Sequence, residues 1–287
     1  MINRMERTYR IAGHVFRVSG KNLCKAVESM AGFKPFVYEG GISAFTFQEA
    51  DIAEVPSFLS SQYTFDTEGV GGNFGRTSDG FRMSMKAETG ETFEMWCHEG
   101  DHVVFLGGHW MLRMYRFALW VAYGLMTLKE NTLAIHSSCI VYQGKAVMFL
   151  GESGTGKSTH TRLWREHIDG SFLLNDDSPM VRMEDGKVWV YGSAWSGKTP
   201  CYRNERYELK ACVRLSQAPH NRIRKLPLLQ AYASLHPSCA PEFAYDDALY
   251  DEVSRTLGQI LSEVPVYHLE CLPDGDAARL SCQTVFS

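Results

Sequence analysis

What this sequence lacks narrows it quickly. Its eight cysteines (Cys24, Cys97, Cys139, Cys201, Cys212, Cys239, Cys271 and Cys282) contain no CxxC pair and no finger-type spacing, so reduced core thiols are expected rather than a disulfide framework or a zinc site. Charge of neither sign is in large excess: a net charge of −4 and a pI near 6.2 leave no broad basic surface, and nucleic acid is not an expected partner. Long apolar runs are missing too. The most apolar stretch, Phe117 to Leu128 (FALWVAYGLMTL), is about a dozen residues and follows Arg113 and Arg116; it reads as a buried helix, so no membrane partner is expected. No apolar h-region stands behind the charges of MINRMERTYRIAGH, which predicts a cytoplasmic protein without a secretory signal.

Hydrophobic residues at 45% and charged residues at 22% suit a packed globular body, and 287 residues are enough for two domains. Residues 8–18, 36–48, 81–86 and 92–106 alternate apolar and polar side chains as strands do, and Leu112 to Lys129 carries apolar residues at helical spacing. A boundary at Glu130 and Asn131 would separate a smaller strand-rich N-terminal domain, 1–130, from a second domain, 131–287. In the second, LAIHSSCIVY and AVMFLG flank Gln143 to Lys145, and SPMVRM and KVWVYG flank Glu184 to Gly186. Both read as hairpins, so the sheet is expected to be mixed and largely antiparallel, not doubly wound. Further on, Lys210–Leu215 is expected as a strand, Leu226–Leu235 and Tyr245–Ser262 as helices, and Val264–Leu272 as the closing strand.

The segment Gly151 to Ser158, GESGTGKS, fits G-x-x-x-x-G-K-[ST], with a strand (Ala146 to Leu150) leading in and a helix (THTRLWREHI) leading out. The chemistry requires that order. Glycines let backbone N–H groups turn around phosphate oxygens, and the helix N-terminus adds positive potential. Gly151, Glu152, Ser153, Gly154, Thr155, Gly156, Lys157, Ser158 and Thr159 are therefore the expected nucleotide-binding residues. Lys157 would reach the β and γ phosphates, and the Ser158 hydroxyl would sit on Mg²⁺. A second segment, Gly192 to Thr199 (GSAWSGKT), satisfies the same pattern, but Pro200 and CYRNERY follow it and oppose the required helix. It is expected to be a loop offering Lys198, Arg203 and Arg206 to a transferring phosphate or an acidic substrate.

SFLLNDD is an apolar strand ending in Asp176 and Asp177. Phosphoryl transfer needs one carboxylate for metal and another to take the proton of the attacking hydroxyl; which aspartate does which is open at this point. His136, expected in the strand paired with the one before the glycine-rich loop, would lie near the phosphates.

Together, His136, the strand hairpin, GESGTGKS and the Asp176–Asp177 pair resemble the catalytic domain of the HPr kinase/phosphorylase family, over residues 131 to 215, with the same spacing from His136 to Lys157. The resemblance implies a fold of the phosphoenolpyruvate-carboxykinase-like type, with a P-loop on a mixed sheet. It implies nucleotide and Mg²⁺ binding by Lys157 and Ser158, a base and metal ligand in Asp176 and Asp177, and phosphate binding by Arg203 or Arg206. Where the family has a glycine-rich segment after the second hairpin, GSAWSGKTPCYRNER stands here, so HPr is not implied as the substrate. Residues 1–130 carry no such resemblance and are expected to recognise a substrate or partner.

The expectation is thus an ATP- and Mg²⁺-dependent phosphotransferase acting on a hydroxyl, of a serine in a peptide or protein or of a small molecule. His136 would orient the acids, and Lys198, Arg203 or Arg206 would offset developing charge. Two alternatives stay open: a non-catalytic ATP-binding regulatory module, and a phosphorylase using phosphate or pyrophosphate. Homo-oligomerisation is also open.

Overall fold

The structure, a computed structural model, describes residues 5–67, 69–109, 111–197 and 199–287. It is a mixed α/β protein with two mixed sheets and helices. The chain divides into two compact units, Met1–Thr127 with Pro241–Tyr250, and Leu128–Ala240 with Asp251–Ser287.

The first unit holds β1 (Glu6–Ile11), β2 (His14–Ser19), α1 (Lys21–Ser29), β3 (Phe45–Glu49), β4 (Ser60–Thr67), β5 (Val70–Arg76), β6 (Gly80–Ala87), β7 (Thr92–His98), β8 (Val103–Gly108) and α2 (Leu112–Thr127). Its eight-stranded sheet runs β1-β2-β3-β8-β7-β6-β5-β4. It is antiparallel except where β3 lies parallel to β2 and β8. Alternation works as the period of two requires: Phe81, Met83, Met85 and Ala87 of β6 are all buried. The apolar stripe of α2 buries Ala118, Leu119, Ala122 and Tyr123, and the Tyr123 hydroxyl donates to Ile11 O at 2.8 Å. The returning segment, 241–250, is fastened to this sheet by Asp246, whose carboxylate receives Arg76 Nε at 2.5 Å, Arg76 Nη2 at 2.9 Å and Gln62 Nε2 at 3.0 Å.

The second unit holds β9 (Thr132–Ala134), β10 (Ser137–Tyr142), β11 (Lys145–Leu150), α3 (Lys157–His167), β12 (Phe172–Asp177), β13 (Met180–Glu184), β14 (Lys187–Tyr191), β15 (Arg206–Gln217), β16 (Arg222–Lys225), α4 (Leu228–Leu235), most of α5 (Asp247–Glu263), β17 (Val266–Cys271) and α6 (Gly275–Phe286). Its sheet runs β12-β10-β11-β15-β14-β13-β9, with β17 beside β15 and β16 beside β17. β11 lies parallel to β15 and antiparallel to β10. The near-continuous apolar runs of β10 and β11 reflect burial on both faces, with Trp164 and Leu163 of α3 and Cys282 and Val285 of α6 in the same core as Phe149. The β10–β11 turn places Gln143 at φ 47° and Gly144 at φ 72°, as a two-residue turn matching the strand twist demands.

Three expectations change. Only Phe45–Glu49 of residues 36–48 is strand, because a 3-10 turn at Ala31–Phe36 holding Pro35, and the pair Gly40–Gly41 at positive φ, break the run. β17 does not close the chain: it lies inside the sheet, and α6 follows, capped by Asp274 accepting from Ala277 N at 2.9 Å. His136 is not in a strand but in the two-residue break between β9 and β10, where the chain leaves its pairing with β13 for β11 and β12.

Candidate functional site

The apolar strand β11 ends at Leu150 and delivers the chain to a loop, 151–156, followed by α3. The loop needs its glycines: Gly156, the residue preceding the helix, has φ 105°, and a Cβ on Gly151 would lie 2.7 Å from Thr155 Oγ1. The first-turn N–H groups of a helix lack intrahelical partners and face its entrance. Lys157 folds back over the loop, donating from Nζ to Gly151 O at 2.7 Å and Glu152 O at 3.1 Å, and is 9% exposed. Burial lowers its pKa; Asp177 and Asp176 oppose that shift, and Arg214 adds to it.

β12 brings the acids alongside. It pairs with β10, setting Ser138 opposite Asp176 and Ser137 opposite Asp177. The two carboxylates have different surroundings. Asp176 is 4% exposed; its Oδ1 receives the Ser158 hydroxyl at 3.0 Å, while its Oδ2 is buried with no hydrogen-bond partner. Asp177 keeps 30% of its side chain exposed, and its Oδ1 is 3.1 Å from His136 Nδ1. Its φ of 153° is one that residues with side chains rarely adopt. The break that takes His136 out of the strand is held by its N–H donating to Ser238 O at 2.7 Å.

Residues 192–197 lie along the acid strand. Gly197 N donates to Asp176 O, Ser196 bridges Asp177, and the Ser196 hydroxyl donates to Thr199 O at 2.8 Å. Ser193 Oγ donates to Ser178 O at 2.6 Å. Asn175 is the buried clamp: its Nδ2 donates to Trp195 O at 3.0 Å, and its Oδ1 accepts from Ser178 N at 2.9 Å. Residues 199–205 are not helical, and the chain passes from them into β15. Lys198 lies outside the described residues. Arg203 stacks over Phe172 at 5.0 Å and reaches Glu205 at 3.4 Å. Arg206 is spent on the β13–β14 hairpin, with Glu184 at 2.8 Å, the Tyr191 hydroxyl at 2.9 Å and the Trp189 ring at 4.5 Å.

Of the residues singled out from sequence, the fold therefore draws together Gly151, Gly156, Lys157, Ser158, Asp176, Asp177 and His136, and turns Arg206 to other partners. It adds residues that the motif search passed over. Asn175, adjacent to the acids, orders the facing loop. Arg214, a basic residue between the buried Val213 and Leu215, stands opposite Leu150 in β15, with its Nη2 3.8 Å from Glu152 Oε1. Its signal was a charge breaking the run ACVRLS. His160, buried in α3 and bonded from Nε2 to Ser281 Oγ at 3.1 Å, has a pKa pushed down by burial to about 4 and belongs to the core.

No protein-family model and no curated protein matches this chain. One solved structure to which it is similar is that of the HPr(Ser) kinase/phosphatase from Coxiella burnetii, at 12% sequence identity over 53% of this chain and 93% of the other, with a TM-score of 0.31. No helix among the described residues is long and apolar enough to cross a membrane.

Proposed function

We propose that residues 131–287 form an ATP-dependent phosphotransferase that moves a terminal phosphoryl group to a hydroxyl, of a serine in a peptide or protein or of a small-molecule alcohol. Residues 1–130 would recognise the acceptor or a partner. One observation carries the reading: the hydroxyl of the P-loop Ser158 is bonded to Asp176, whose second oxygen is buried and unpartnered. A buried carboxylate oxygen without a donor is costly, and a cation is the natural partner.

Ser158 Oγ and Asp176 Oδ2 are hard oxygen donors fit to hold Mg²⁺, which when bound would neutralise phosphate charge and polarise the transferring group. The backbone of Gly151 to Gly156 and the ammonium of Lys157 would receive the β and γ phosphate oxygens. Lys157 is already desolvated, so its charge acts there with little screening by water. Asp177, partly open to solvent, is the base. Its carboxylate takes the acceptor's proton as the acceptor oxygen bonds to the γ-phosphorus, and the bond to the β–γ bridging oxygen breaks, leaving nucleoside diphosphate. His136, 3.1 Å from Asp177, orients that carboxylate. Arg203, which stacks over Phe172 in the acid strand, would offset charge on the phosphoryl group; Arg206 has other partners.

Phosphotransfer to serine peptides and simple alcohols, measured with Mg·ATP, tests this. Asp177→Asn is expected to lower turnover by roughly 10²–10⁴-fold with Mg·ATP binding retained, and Asp176→Asn to weaken the Mg²⁺ dependence. Full activity in both folded variants would end the proposal. ATP binding without turnover in wild type would favour the regulatory module, and turnover only with phosphate or pyrophosphate would favour the phosphorylase.

A further inference from the structure

The sheet order puts the acids and one arginine on opposite sides of the glycine-rich loop. From β11, which feeds that loop, β10 and then β12 with Asp176 and Asp177 lie to one side, and β15 lies to the other. β15 runs parallel to β11, so both strands end at the same edge of the sheet, and Arg214 pairs in register with Leu150, the last residue before the loop. Arg214 reaches toward the loop, its Nη2 3.8 Å from Glu152 Oε1, and Gln217, three residues on, donates from Nε2 to Gly154 O at 3.5 Å. The far end of β15 thus faces the loop on the side away from the acids.

In phosphoryl transfer the group that moves must face the base and the acceptor, and the nucleoside diphosphate that leaves must face the other way. We infer that Arg214 binds the non-transferred phosphates of the nucleotide, as a second cation beside Lys157, with Glu152 as its displaceable partner. This rests on the phosphotransferase reading given above. The Arg214–Glu152 pair is built to be given up: the glutamate side chain is 88% exposed and the separation is long, so the pair is worth little in water. A phosphate offers the guanidinium two oxygens in a forked geometry and a larger charge. An anion bound at the loop beside Arg214 and Lys157 would be attracted by both cations. Negative charge that builds on the leaving diphosphate would likewise be met by Arg214, on the side where no carboxylate of the acid pair competes.

The test is equilibrium binding of Mg·ADP, Mg·ATP and pyrophosphate to the full chain by titration calorimetry, for wild type, Arg214→Gln, Arg214→Lys, Glu152→Gln and the Arg214→Gln/Glu152→Gln double variant. Arg214→Gln is expected to weaken Mg·ADP about tenfold or more, and Arg214→Lys by less, since charge is kept and the fork is lost. Glu152→Gln is expected to tighten Mg·ADP about two- to threefold by removing the competing carboxylate, an effect that should vanish in the double variant. That coupling is something a merely structural arginine would not produce, and Glu152→Gln, at an exposed side chain, should leave folding intact. Wild-type affinity in a folded Arg214→Gln variant would overturn the assignment while leaving the phosphotransferase reading standing. A wild type that binds none of the three ligands would overturn both.

Discussion

Two segments of this chain satisfy the same eight-residue pattern and come to opposite structural ends. Gly151–Ser158 leaves a buried strand, turns through glycines at positive φ and enters an eleven-residue helix, with its lysine folded over its own carbonyls. In the second segment, residues 192–197 leave β14, lie along the end of β12 and turn their serines to the carbonyls of Ser178, Asp176 and Thr199. The first directs N–H groups toward a helix entrance; the second spends its polar groups holding the acid strand. What separates them lies outside the pattern. THTRLW after the first can continue as helix, whereas Pro200 after the second removes a donor and forces the residue before it out of the helical region. A phosphate loop is a loop plus the helix it caps, and residue identity within eight positions does not contain the helix.

The comparison can be broken most decisively at the two lysines. Lys157→Ala is expected to abolish the rise in melting temperature produced by Mg·ATP and Mg·ADP, whereas Lys198→Ala should leave it in place; at a hundredfold excess of ligand over Kd the lost stabilisation is about 2.7 kcal/mol. Equal loss in both variants, read by thermal denaturation, would mean that the second segment also binds phosphate.

The glycines sharpen it at smaller scale. A Cβ on Gly192 would lie 1.9 Å from Arg203 O, a backbone collision, so Gly192→Ala is expected to destabilise the fold by about 2 kcal/mol. At Gly156 nothing stands within 4 Å, and only the φ of 105° opposes a side chain. Gly156→Ala should cost about 1–2 kcal/mol of strain, yet it should weaken nucleotide binding more than Gly192→Ala does. Urea unfolding together with nucleotide titration separates the two effects.

The smallest effect concerns the helix that only the first segment caps. Burial holds the His160 pKa down to about 4, below the ordinary 6.5, so the folded state resists a proton that the unfolded chain accepts. The stability this neutral histidine supports is complete above pH 6.5 and falls as pH drops from there through about 4. Urea midpoints should decline over that window, and His160→Gln should remove part of the decline, on the order of 1–2 kcal/mol at pH 4.5. An unchanged slope would place the acid sensitivity elsewhere.

Much of the secondary structure was legible because local rules dictate it. The helix at Leu112, the hairpins about Gln143–Gly144 and Asp185–Gly186, the strand ending in two aspartates and the helix after the glycine-rich loop all follow from period and turn chemistry. Residues 36–48 misled because apolar alternation continued across Gly40–Gly41, where the backbone could not stay extended. The site was legible as a list of residue types and not as an arrangement. Nothing in SFLLNDD distinguishes its aspartates. Only the sheet buries one against Ser158 and leaves the other beside His136, and only the break after β9 frees His136 to meet it. Arg214 escaped notice because its neighbour across the sheet, Leu150, is 64 positions away in the chain.

By itself, then, the sequence determined most of the elements and the glycine-lysine-serine motif of the loop before α3, since glycine, proline, hydrophobic period and a lysine before a serine act over a few residues. The tertiary structure decided which carboxylate is buried, which arginines face the loop and that the second glycine-rich segment is a strap. Those outcomes depend on strand order, and strand order is set by burying whole faces at once, a sum over contacts between residues far apart in the chain.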